Sequence, residues 1–175
     1  MEPQSALSNL LSVIIARQSK VSLLEFARNH LFGPLGIRTQ RWDTDQQGYY
    51  KGAADLYLTA RDMARFGYLY LNAGQWEGKQ IVPVEWVWES LRPHAAKDPF
   101  LADFGYQWLI GQDEELPAFF ALGHGGQMIH FVPKLDLVVV VTSTINDGRD
   151  DLILPILEHL LPAMSESDGQ KRPVR

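Results

Sequence analysis

The run Val138-Val139-Val140-Val141 sets the tightest limit on how this chain can fold. β-Branched side chains favour extended backbone, and successive side chains of a strand point to opposite faces, so this strand is apolar on both. A strand of that kind belongs in the middle of a sheet covered on two sides. Other short runs supply strands to pair with it: Phe104–Ile110, Ala118–Leu122 and Met128–Val132, with Leu137–Thr142 holding the valines. Each is rich in aromatic and β-branched residues and bounded by turn formers. Pro133-Lys134-Leu135-Asp136 reads as the turn joining the last two.

Helical spacing dominates everything before Phe104. Between Leu7 and Gln18, residues Leu10, Leu11, Ile14 and Ile15 recur at helical intervals and predict an amphipathic or buried helix. A second helix starts at Ser22, which forms a capping-box spacing with Glu25, and its face is Leu23, Ala27 and Leu31. Gly33-Pro34 ends it, with Gly33 expected in the left-handed cap. Residues 38–55 lack a regular period and predict an ordered loop. The clearest helix follows Thr59, with Asp62 in its first turn and a stripe of Met63, Phe66, Gly67 and Tyr70; Asn72-Ala73-Gly74 stops it. A short helix after Pro83 turns Val84, Val87 and Leu91 inward and closes at Pro93. A last helix is expected from Asp150 to Leu161, with Ile153, Ile156, Leu157 and Leu160 covering the sheet. Helices, then antiparallel strands, then one helix give an α+β class: an antiparallel sheet flanked by helices. One domain part spans residues 1–163, and the polar stretch 164–175 reads as a disordered tail.

Bulk properties narrow the partners. A net charge of -5 offers no electrostatic reason to expect nucleic acid or an anionic membrane. No apolar run reaches the length of a transmembrane helix, and there is no cysteine for a disulfide or a thiolate metal site. The opening Met1-Glu2-Pro3-Gln4 lacks the basic region of a signal peptide. A cytoplasmic location is expected for the chain as written, and a periplasmic or secreted one if a leader precedes it. No cofactor motif is found: dinucleotide, Walker and His-Glu-x-x-His patterns are all missing, and no pair of histidines has metal spacing.

Chemistry concentrates at Gly123-His124-Gly125-Gly126-Gln127. Three glycines weaken a strand, but a backbone without Cβ lets a ligand lie against it. On composition alone, a ligand-facing strand and a bend carrying an incidental histidine are equally good readings. Asp43 and Asp45, with Trp42, Tyr49, Tyr50 and Trp108, are further candidates for a pocket lining. For His30, His94, His130 and His159, helix-surface or sheet-edge positions are expected.

Several blocks decide between these readings. They are Leu10 to Ile15, Phe26-Ala27-Arg28 to Leu35-Gly36-Ile37, Gly52 to Gly67, Phe104-Gly105-Tyr106-Gln107-Trp108, and Gly123 to Gly126. In order and spacing they resemble the β-lactamase-related serine hydrolases, which include class C β-lactamases, DD-peptidases, esterases and amide hydrolases. The resemblance covers nearly all of this chain and about the C-terminal half of a full family domain. It implies a β-lactamase/transpeptidase-like fold and an ester- or amide-cleaving serine hydrolase acting on a small-molecule or peptide-like substrate. His124-Gly125-Gly126 matches the family's Lys/His-x-Gly motif, and the backbone N–H of Gln127 would be one oxyanion donor. The family's Ser-x-x-Lys is absent: the residues three places before the six lysines are Arg17, Gly48, Trp76, His94, Phe131 and Asp168. No tyrosine stands in Met1–Asn9, where Tyr-x-Asn is expected, and the formal match Tyr70-Leu71-Asn72 falls at a helix end. Neither nucleophile nor base is identified here, so the chain alone is expected to be nearly inactive. The resemblance also implies that early strands pair with Leu137–Thr142. Without them an apolar edge would lie open to self-association. The alternative is a non-catalytic module binding a peptide-like ligand or a partner strand along the His124 edge.

Overall fold

The computed structural model describes residues 3–39, 41–94, 103–111, 113–144, 159–160 and 163–164. Helix α1 spans Pro3–Ser19, and α2 spans Leu23–Ala27 and runs into a single π turn, Arg28–Phe32. A two-stranded ribbon pairs β1 (Arg41–Trp42) with β2 (Leu56–Tyr57). Helix α3, Ala60–Leu71, is followed by a second ribbon of β3 (Gln75–Trp76) and β4 (Lys79–Gln80), and then by α4, Val84–Ser90. The sheet comes last: β5 (Asp103–Phe104), β6 (Leu109–Ile110), β7 (Phe119–Gly123), β8 (Gln127–Val132) and β9 (Leu137–Val141), all antiparallel and in chain order. This is an α+β fold.

Helix α3 lies between two apolar cores. Thr59 caps it, its side chain accepting a hydrogen bond from the Asp62 N–H at 3.1 Å. Tyr70 packs with Val87, Leu91, Trp108, Ile110, Phe119 and Phe131 against the sheet, and Leu69 packs with Ala27, Phe32, Leu35 and Ile37 against the α2 region. Gly67 lets α3 press on the sheet: a Cβ there would stand 2.8 Å from methyls of both Ile129 and Val138. Of the expected stripe, Gly67 and Tyr70 are buried toward the sheet, and Leu69 is buried on the opposite flank.

Four expectations need correcting. The predicted strand Phe104–Ile110 is two strands, because residues 105–108 turn back with Gln107 at φ 66°. Gly33 is right-handed (φ -59°), and the left-handed residue is Gly36 (φ 64°). Gly33 is needed for close approach instead, since a Cβ would lie 2.5 Å from the Arg28 carbonyl oxygen. The valine strand β9 stands at the edge of the described sheet, half-buried along its length, rather than in the middle. On α1, the buried positions are Ser8 and Ser12, while Leu7, Leu10, Leu11 and Ile14 are exposed. The loop at Gly52 lies close against this face: a Cβ there would stand 2.1 Å from the Ser8 carbonyl oxygen and 3.3 Å from Ser12 Cβ. The Ser12 hydroxyl also donates to the Tyr50 carbonyl.

Within the expected loop, residues 41–55 are organised around a Thr44–Tyr50 bridge and by the pairing of β1 with β2. Val87 and Leu91 turn inward after Pro83, and Val84 stays at the surface. Of the expected last helix, residues 159–160 are helical and the remainder lies outside the described residues, as does nearly all of the expected tail.

Candidate functional site

His124, Gly125 and Gly126 form the turn between β7 and β8, with Gly123 and Gln127 paired across its base. The motif therefore closes a hairpin, where the sequence suggested a strand. Gly125 (φ 84°) and Gly126 (φ 85°) are both left-handed, a pairing that L side chains adopt only under strain. Both glycines are buried, and His124 is exposed. The turn is tied to the residues after β9: Gln127 Nε2 donates to the Ser143 carbonyl at 2.5 Å, and a Cβ on Gly126 would approach Ser143 Cβ to 3.1 Å. Among the described residues the His124 imidazole has no hydrogen-bond partner, so the turn presents it outward from a fixed base.

The other candidates separate into different roles. Trp42 is half-buried; its Nε1–H donates to the Lys51 carbonyl at 2.9 Å, and its ring sits 5.5 Å from that of Tyr50. Asp43 is held in a forked ion pair by Arg41 (2.5 and 2.7 Å), whose guanidinium pulls the carboxyl below its usual range. Asp45 shapes its own loop, accepting from the Gln47 and Tyr49 N–H groups at 2.8 and 2.9 Å. The Tyr49 hydroxyl accepts from Arg17 Nε at 3.3 Å. Trp108 is buried in the main core, stacked on Phe66 and edge-on to Phe131.

A cavity of about 290 Å³ opens beside α1, lined by Ser8, Leu11, Ser12, Ile15, Leu23, Trp42, Gly52 and Gln107. Of the residues singled out from the sequence, only Trp42 lines it, and it shares no lining residue with the His124 turn. Sequence reasoning missed both the cavity and Gln107. Ser8 and Ser12, four apart on one face of α1, were a readable sign of a close-packed polar face. Nothing in the residue types announced the left-handed Gln107.

Among the histidines, His130 departs from its expected edge position. It is fully buried on β8, stacked 4.2 Å from the Phe120 ring, with Nδ1 3.2 Å from the Phe119 carbonyl. Its Nε2 has no partner among the described residues, and burial pushes its pKa down. Among the described residues, no group of histidines and carboxylates could hold a metal ion, and no helix is long and apolar enough to cross a membrane.

The family model described as Beta-lactamase matches residues 4–161. The chain belongs to the beta-lactamase family. Among solved structures, a Bacillus anthracis protein named as a candidate 6-aminohexanoate-dimer hydrolase is 27% identical, with a TM-score of 0.76 over 93% of this chain and 43% of that one. An octameric penicillin-binding protein homologue from Pyrococcus abyssi shares the fold at 17% identity and TM-score 0.69, over 88% of this chain and 41% of that one. A beta-lactamase from Mycobacterium bovis does so at 19% and 0.68, over 90% of this chain and 62% of that one. Residues 1–175 thus span less than half the length of the first two. A search of curated proteins finds no match.

Proposed function

We propose that this chain is the substrate-facing C-terminal part of a serine hydrolase that cleaves an amide or ester bond. In this reading the His124–Gln127 turn forms one wall of the active site. The observation that carries it is the turn itself: two buried left-handed glycines, fixed through Gln127 to residue 143, holding an exposed imidazole. A backbone without Cβ lets a scissile carbonyl lie close, and the Gln127 N–H would meet the oxygen as negative charge develops on it. His124 would orient the substrate or its leaving group. No serine here stands three residues before a lysine, so the nucleophile and its base would come from a segment packing on β9 and α1. The half-exposed apolar edge of β9 and the outward leucines of α1 suit such a segment. The name of the Bacillus anthracis protein favours an open-chain amide over the ring amide of a β-lactam as the bond attacked.

The test is to translate the genomic frame upstream of the Met1 codon and express the longer protein. A Ser-x-x-Lys should appear there, and the longer protein should label stoichiometrically with a fluorophosphonate. Gly126→Val should lower amide or ester hydrolysis by about a hundredfold, as loss of an oxyanion donor does. A stop codon with no such motif upstream, or a Gly126→Val enzyme of full activity, would sink the proposal. The open β9 edge also favours a second reading, a non-catalytic module that pairs with a partner strand or with a second copy of itself. It predicts association of the 175-residue chain in sedimentation, and a clean monomer at high concentration argues against it.

A further inference from the structure

We draw no further inference here: the strongest candidate, the exposed aromatic surface of Trp86 and Trp88 on α4 and of Tyr106 in the turn between β5 and β6, is an unpartnered apolar face, and nothing in the structure shows what covers it.

Discussion

Two helices of this protein, α1 and α3, carry similar apolar residues and use them in opposite ways. On α3, Leu69 and Tyr70 are buried on opposite flanks, one toward the α2 region and one toward the sheet. On α1, Leu10 and Leu11 are more than half exposed, and the buried contacts are made by Ser8 and Ser12. Leu69 and Tyr70 of α3 are covered within the described residues, whereas the leucines of α1 are not. Periodicity states which face of a helix is apolar; it does not state whether the partner that covers that face lies within reach.

The contrast breaks most visibly with the same substitution on each helix. Leu69→Ala should cost about 2–5 kcal/mol, the range for deleting a buried leucine side chain. Denaturant unfolding measures it, and a loss below about 1 kcal/mol would show that the α2 side of α3 is loosely packed. Next in size is Gly67→Val. Its branched side chain would meet Ile129 and Val138, which already lie 2.8 Å from a Cβ at that position. Overpacking of that kind costs about 1–3 kcal/mol, with the same assay as readout.

A smaller effect comes from His130, on the side of the sheet away from α3. Burial holds its folded pKa below the ordinary 6.5, so the unfolded chain binds the proton more readily. Stability is therefore fully present above pH 6.5 and declines as the pH falls toward the depressed folded value. His130→Leu removes that proton uptake and the orphaned Nε2 together. The slope of stability against pH between 6.5 and 5 should be shallower in the variant than in the parent. Equal slopes would mean that the imidazole is not shielded from protons in the folded state.

What the sequence revealed, and what it hid, follows the same division. Thr59 with Asp62, and Ser22 with Glu25, are local devices whose partners sit three residues away, so both caps were readable. The β8–β9 pairing was readable because period and turn chemistry agree over a short distance. Three features depended on residues far away in sequence. The inward face of α1 is the one against which the Gly52 loop packs, at Ser8 and Ser12. Ser90 and Trp108 folded the stretch 105–108 into a turn. The position of β9 at the sheet edge depended on which strand, if any, lies beyond it. At the candidate site, composition could not tell a strand from a hairpin turn around His124, since both use glycine for close approach.

The smallest expected effect is on α1, and it discriminates best between the two readings of this protein. Leu10→Ala should change the stability of the 175-residue chain by less than about 0.5 kcal/mol, because the side chain is 54% exposed and alanine is the better helix former. The sign of the effect should depend on what covers the helix. In a longer protein whose extra segment packs on α1, the same substitution would remove buried apolar surface and cost about 2 kcal/mol or more. If instead the 175-residue chain associates with itself through α1, Leu10→Ala together with Ile14→Ala should lower the sedimentation coefficient while leaving the unfolding midpoint at low concentration unchanged. If neither the longer protein nor the associated form responds, the outward leucines of α1 are ordinary surface residues, and the β9 edge alone must carry any docking of a missing segment or of a second copy.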